Sequence, residues 1–206
     1  MTCSNIYDLR KIPIYYEELK GKKIFTKSLS EMDVDKKLVH ILYYKKYNIP
    51  ICSLPKLGIV IISQKGFLSF CYNFYLFINS FNTKNILITK QNIYSIGKVA
   101  LCHEIGHILD PDLSNIKSHS IKIITLIAET IKKYNIDLED EYYYKKNLPL
   151  ELEDCIIEFK KNSIAREINA WNIGKTILDF ESELEQYIFE KMKEYALATY
   201  NYGNLK

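Results

Sequence analysis

One stretch of the sequence decides the fold: Val99-Ala100-Leu101-Cys102-His103-Glu104-Ile105-Gly106-His107-Ile108-Leu109. From Tyr94 onward the apolar residues recur with a period of about 3.6, which predicts a helix that ends at Asp110-Pro111. Within this helix His103 and His107 are four residues apart, so both lie on the same helical face. The stretch therefore predicts a helix that presents two imidazoles side by side.

Two imidazoles at this spacing can bind one cation, and Zn²⁺ is the expected ion. Two histidines and one carboxylate leave a fourth tetrahedral position for water, as catalytic zinc sites require. Glu104 follows the first histidine and can take a proton from that water and pass it to a leaving amine. The HExxH pattern also occurs by chance, but here it lies on an apolar helix, Gly106 allows close backbone approach, and two of the 4 histidines belong to it.

A third protein ligand is needed, and Glu167 is the first choice. It lies in a predicted helix from Leu150 to Phe180, on a stripe of mostly apolar residues: Ile164, Ala170, Trp171 and Gly174. A carboxylate on an apolar stripe is costly unless a positive partner compensates its charge. A bound Zn²⁺ would be that partner.

Other residues compete for supporting roles. Asp110 shares the helical face of His107, but three ligands from one straight helix converge poorly, which favours a role in ending the helix or supporting a ligand. His119 is predicted in a polar loop, from which it can reach a metal or contact substrate. Polarising the scissile carbonyl needs a proton donor opposite the metal, and Tyr195, Tyr200 and His119 are candidates. A packed ring with a hydrated hydroxyl is the alternative for each tyrosine.

The rest of the chain predicts an α+β fold, with a small, mainly antiparallel sheet packed against the HExxH helix and further C-terminal helices. Ser30 is predicted to cap a helix that runs to Tyr47. Four short strands are predicted to follow, at 57–63, 67–72, 74–80 and 85–89. Later helices are predicted at about 121–134, 150–180 and 181–200, with an acidic, tyrosine-rich connection at 137–144. A length of 206 residues predicts a single domain over 1–206.

Charge is unevenly distributed along the chain. The net charge is +3, yet no Asp or Glu occurs between Lys36 and Cys102, and acidic residues dominate the second half. This pattern predicts a solvated basic face on the sheet-rich half that pairs with an acidic helical half. The alternative is a basic wall that attracts an acidic protein segment or nucleic acid.

Cysteine content and hydropathy indicate the compartment. The 5 cysteines are an odd number without paired short spacing, which indicates neither a disulfide framework nor a cysteine-rich zinc site. The amino terminus lacks the apolar run of a secretory signal, and no stretch approaches the roughly 18 apolar residues of a membrane span. The sequence predicts a cytoplasmic protein with no membrane partner.

These motifs resemble the ImmA/IrrE-type metallopeptidases of phages and mobile elements. The resemblance rests on the HExxH stretch, on the later run Glu167-Ile168-Asn169-Ala170-Trp171-Asn172-Ile173-Gly174, and on a similar order of elements. It implies a gluzincin-like site with His103 and His107 as ligands, Glu104 as general base and Glu167 as third ligand. Better-known members cut a repressor protein, so the resemblance implies a repressor-like regulator as substrate.

The predicted function is therefore a zinc-dependent metalloendopeptidase that cleaves a protein substrate, with a regulator encoded by a phage or mobile element as the implied target. The alternative is a non-catalytic regulatory binding protein with a zincin-like fold and a structural or vestigial metal site. An open fourth coordination position would favour the enzyme, and a fourth protein ligand the structural role. Binding of nucleic acid by the stretch without acidic residues, from Lys36 to Cys102, is a third option, but no recognised nucleic-acid-binding motif supports it.

Overall fold

A computed structural model describes residues 8–80, 86–137 and 148–201. These residues form seven α-helices and a small mixed sheet of three strands, so the prediction of an α+β fold is confirmed. In chain order the elements are α1 (Lys11–Glu18), α2 (Lys22–Glu31), β1 (His40–Tyr44), β2 (Cys52–Leu54), β3 (Ile59–Ser63), α3 (Gln64–Ser80), α4 (Lys90–Leu109), α5 (Leu113–Lys133), α6 (Leu150–Ile177) and α7 (Glu183–Asn201). None of the helices described has the length and apolar character that crossing a membrane requires.

The chain divides into two compact units, Met1–Leu109 with Asn169–Lys206, and Asp110–Ile168. The first unit contains the sheet, α1 to α4, α7 and the carboxyl-terminal turns of α6. The second contains α5 and the first turns of α6. The division therefore falls inside a continuous helix, and the single domain expected over 1–206 stays a prediction.

The sheet has the order β1-β3-β2. Strand β3 pairs in parallel with β1 and antiparallel with β2, so the expectation of a mainly antiparallel sheet is wrong. Within the predicted strand at 57–63, β3 is confirmed, and its Val60 and Ile62 are fully buried against the helices. The parallel partner, β1, lies at a place where the sequence predicted a helix.

The helix predicted from Ser30 to Tyr47 is wrong. Helix α2 ends where that helix should begin, because Met32 adopts an extended backbone with φ −89° and ψ 145°. The Asp35 carboxylate then accepts the backbone N–H of Lys37 and starts a single 3₁₀ turn. The following residues, His40–Tyr44, include β-branched and aromatic side chains suited to a strand, and backbone pairing with β3 holds them there.

The strands predicted at 67–72 and 74–80 are also wrong, because these residues form α3. The buried positions of α3 include Phe67, Cys71, Phe74 and Ile78, a spacing of three and four that follows a helix and not a strand. Ser63 accepts the backbone N–H of Gly66 at 2.9 Å and so caps the helix start. Residues 86–89 have no regular structure, so no strand forms in the described part of 85–89.

The helices predicted for the second half are confirmed with changed bounds. Helix α4 begins at Lys90, four residues before the predicted start, and α5 begins at Leu113, well before residue 121. The bounds of α6 and α7 lie within three residues of the predicted limits. Of the predicted acidic connection at 137–144, all but Asp137 lies outside the described residues.

Candidate metal site

Helix α4 is buried around most of its circumference, because it packs against α2, α7 and the sheet within the first unit. His103 is 9% exposed and His107 5% exposed, and their ring centroids lie 4.7 Å apart. The four-residue spacing therefore does bring the two imidazoles together on one helical face. Burial in this helix holds both rings in an environment with little water.

Close packing of the last turns of α6 on α4 positions the neighbouring side chains. A Cβ atom at Gly106 would collide with the backbone carbonyl oxygen of Ala170, so only glycine permits this approach. One turn earlier on α4, the Cys102 thiol donates to the Gly174 carbonyl oxygen at 2.9 Å. These two contacts fix the rotation of α6 relative to α4.

Trp171 completes this packing and restrains the first histidine. Its ring stacks on His103 with centroids 4.2 Å apart and an interplanar angle of 18°. The indole is 1% exposed, and it also contacts Phe189 edge-on. An imidazole held between a helix and an indole has little rotational freedom, which favours one fixed direction for its nitrogen atoms.

Glu167 lies on α6 one turn before Trp171, and is half-buried. One ligand atom each from His103, His107 and Glu167 lies within 4.8 Å of the other two. Two imidazole nitrogens and one carboxylate oxygen form a donor set of a kind that binds metal ions in proteins. These three residues could therefore hold a metal ion, and their role as ligands stays a prediction.

Glu104 lies between the two histidines in sequence and is half-buried. Strand β2 packs against α4, and burial, followed by the negative charge of Glu104, raises the pKa of the Cys52 thiol at the start of β2. The edge strand β2 therefore adjoins the helix that carries the candidate base. Sequence reasoning missed Cys52, because no sequence signal distinguished β2 as a strand.

Asp110 directly follows the last residue of α4 and forms hydrogen bonds in the turn after it. Its carboxylate accepts the backbone N–H of Asp112 at 2.9 Å, and its carbonyl oxygen accepts the N–H of Leu113. Asp110 is buried at 5% exposure and does not belong to the cluster of candidate ligands. The helix-ending role expected from the sequence agrees with this arrangement.

The position expected for His119 is wrong. It lies inside α5 and not in a loop, because the helix starts six residues before it. Its Nε2 atom lies 3.0 Å from a carboxylate oxygen of Glu158, and the side chain is about half exposed. His119 is absent from the cluster of candidate ligands.

The two candidate tyrosines both lie on α7. The ring of Tyr195 packs among Phe70, Phe74 and Phe77 of α3, with centroids 5.0 to 6.1 Å apart. Tyr200 is half-buried in the last turn of the helix. The packing of Tyr195 fits the structural alternative for that residue, and a role for either hydroxyl in stabilising the transition state stays a prediction.

A buried lysine also lies on α4. Lys98 is 1% exposed, and its Nζ atom is 3.0 Å from Glu181 and 3.4 Å from Glu185, which is itself 2% exposed. Glu31 of α2 lies 3.8 Å away. Burial opposes the charged form, but Glu181 and Glu185 outweigh it and raise the pKa of Lys98 above its ordinary value. This cluster of charges ties α4 to α2 and α7.

Replacing Lys98 with Met is expected to lower the free energy of unfolding by roughly 3–5 kcal/mol, because Glu185 would remain buried without its cation. Chemical denaturation monitored by circular dichroism measures the change. The matched control is Lys175→Met, which removes an exposed ion pair with Glu190 at 2.8 Å and should cost less than about 1 kcal/mol. Equal losses for the two variants would contradict a stabilising role for the buried cluster.

A cavity lies elsewhere in the first unit. It has a volume of about 590 Å³ and is lined by α2 and α4 residues that include Lys23, Lys27, Lys90 and Tyr94. Neither histidine of the cluster lines it. This cavity therefore does not mark the candidate metal site, which is defined by its side-chain chemistry.

The chain matches no protein-family model, no curated protein sequence and no solved structure. A function is therefore inferred from the geometry of the candidate ligands and their neighbours. The resemblance to ImmA/IrrE-type metallopeptidases stays a prediction from the motif residues.

Proposed function

We propose that this chain is a zincin-like zinc metallopeptidase of the cytoplasm that cleaves a protein substrate. The observation that carries the proposal is the proximity of His103, His107 and Glu167, whose ligand atoms lie within 4.8 Å of one another. Glu104, next to the first histidine, supplies a carboxylate that the donor set does not use. The described cysteines, Cys52, Cys71, Cys102 and Cys155, are free, which supports a reducing compartment.

The proposed chemistry is hydrolysis of a peptide bond. A bound Zn²⁺ supplies a Lewis acid that lowers the pKa of water and polarises a carbonyl group. The imidazoles of His103 and His107 and the carboxylate of Glu167 would hold that ion. Glu104 accepts the proton of the attacking water and delivers it to the leaving amine. Trp171 orients His103 by stacking and excludes water from one side of the ring.

The sheet offers a place for the substrate backbone. Strand β2 pairs with β3 along one edge, and no strand of the described residues pairs with its other edge. An extended peptide can add to such an edge through main-chain hydrogen bonds. Because β2 packs against α4, the helix that carries Glu104, a peptide on this edge would lie near the proposed base.

Removing the metal tests the proposal. Treatment with a chelator should lower the cleavage of an unfolded model protein such as casein to background. One equivalent of Zn²⁺ should restore cleavage, because the proposed hydrolysis needs the bound ion to activate water. The measurement is the appearance of peptide fragments by mass spectrometry. Cleavage that persists unchanged after complete metal removal would contradict the proposal. Tight zinc binding without any cleavage of a broad peptide library would favour the regulatory binding protein instead.

The substrate proposed from the family resemblance is a repressor-like regulator encoded by a phage or mobile element. The sequence contains no recognised motif for binding nucleic acid, so a protein segment is proposed as the substrate. The regulator itself would be found by comparing the proteins cleaved in host extract by the wild type with those cleaved by an inactive variant.

A further inference from the structure

One face of the sheet is apolar and exposed. The pairing register places Leu42 opposite Ile61 and Leu54 opposite Ile59, and Tyr44 follows Leu42 by two residues, so these side chains share one face. We call it the outer sheet face. Leu42, Tyr44 and Leu54 are 40%, 38% and 42% exposed. Neighbouring exposed apolar side chains of this kind often mark interaction sites.

Exposed lysines flank both ends of this face. Lys36 and Lys37 precede β1, Lys56 precedes β3, and Lys45 with Lys46 directly follows β1. All five are exposed, and none forms an ion pair with a carboxylate in the parts of the chain that the structure describes. Lysines of other elements, such as Lys98 and Lys133, do have such partners. The flanking lysines therefore carry positive charge that the described fold does not neutralise.

The outer sheet face adjoins the candidate site. Cys52 lies opposite Ile61 and so belongs to this face. Strand β2, which begins at this residue, packs against α4, the helix that carries Glu104. A segment docked on the outer sheet face would thus continue toward the proposed base within the same compact unit.

We propose that the outer sheet face docks an acidic segment of the protein substrate that also carries leucine or aromatic side chains. This inference rests on the proposed peptidase function and defines the class of its substrate. Carboxylates of the segment pair with the flanking lysines, and its apolar side chains cover Leu42, Tyr44 and Leu54. A nucleic acid would satisfy the lysines through its phosphates but would leave Leu42 and Leu54 exposed to water.

A binding experiment tests this inference without turnover. The probe is a fluorescein-labelled peptide of alternating Glu and Leu, titrated with the full, zinc-loaded Glu104→Gln chain and followed by fluorescence anisotropy. Charge and apolar area act together, so the Glu/Leu peptide should bind at least about tenfold more tightly than Lys/Leu or Glu/Ser peptides of equal length. Its affinity should also fall as salt rises.

Two variants and one control locate the binding. Lys45→Glu with Lys46→Glu, and separately Leu42→Ser with Leu54→Ser, should each weaken binding of the Glu/Leu peptide at least about fivefold. The matched control, Lys117→Glu with Lys122→Glu on α5, changes the net charge by the same amount at exposed positions and should stay within about twofold, because long-range charge effects are screened.

Several results would overturn the inference. These are equal binding of the three peptides, no binding of the Glu/Leu peptide, an equal loss in the α5 control, or tighter binding of a DNA or RNA oligonucleotide at the same lysines. Because the readout is binding, its failure leaves the peptidase proposal standing. Conversely, a chain that binds the peptide through this face but cleaves nothing would reject the peptidase and retain the docking surface.

Discussion

Glu104→Gln is expected to reduce peptide-bond hydrolysis by about 10²–10⁴-fold, because general base catalysis by a positioned carboxylate contributes that much to the rate. Glutamine is close to glutamate in size, so the packing of α4 should be preserved. His103, His107 and Glu167 are unchanged in this variant, and zinc content should therefore equal that of the wild type. The measurement pairs initial rates of peptide cleavage with metal analysis of the same samples.

The control for this prediction is Glu190→Gln, which removes an exposed carboxylate of α7 that pairs with Lys175. Its rate should stay near that of the wild type. If Glu104→Gln kept full activity, the proposed role of this carboxylate in proton transfer would be wrong. If it lost zinc together with activity, Glu104 would be acting as a ligand and not as a base.

Glu167→Ala is expected to weaken zinc binding by at least about 100-fold, because loss of a ligand should exceed the 10–100-fold cost of losing a residue that only supports one. Only two protein donors, His103 and His107, would remain. A competition titration against a chromophoric zinc chelator measures the affinity. Activity at limiting zinc should fall in parallel.

The matched control for that prediction lies on the same helix. Glu158→Ala removes a carboxylate that pairs with His119 at the exposed surface of α6, and zinc affinity should change less than about twofold. Unchanged affinity in Glu167→Ala would show that the third ligand lies elsewhere. An equal decrease in both variants would point to a general disturbance of α6 and not to ligation.

The sequence predicted the elements whose patterns are local and regular. Helix α4 followed from its apolar periodicity, and α6 and α7 from long helical patterns of the same kind. The proximity of His103 and His107 follows from a four-residue spacing on any helix. Glu167 was found because its carboxylate lies on an otherwise apolar stripe, a local conflict that a cation would resolve.

The sequence misled where aromatic residues and non-local pairing decide the structure. In α3 the many Phe and Tyr residues favour strands by propensity, but their buried positions repeat with a helical period. The residues of β1 were predicted to be helical. Their strand conformation depends on pairing with β3, a later segment of the chain, and such pairing is not visible in the local sequence pattern. The three residues of β2 are too few to show a periodic pattern. The packing of this strand against the helix that carries Glu104 was therefore not predicted.

His103, His107 and Glu167 are proposed to bind one catalytic zinc ion together. X-ray absorption at the zinc edge tests this proposal most directly. The wild-type chain loaded with one equivalent of Zn²⁺ should show four nitrogen or oxygen neighbours at about 2.0–2.2 Å, two of them imidazoles and one of them water. The Glu167→Ala variant should lose this signature at equal zinc. A sulfur neighbour at about 2.3 Å, or a wild-type chain that binds no zinc, would contradict the claim.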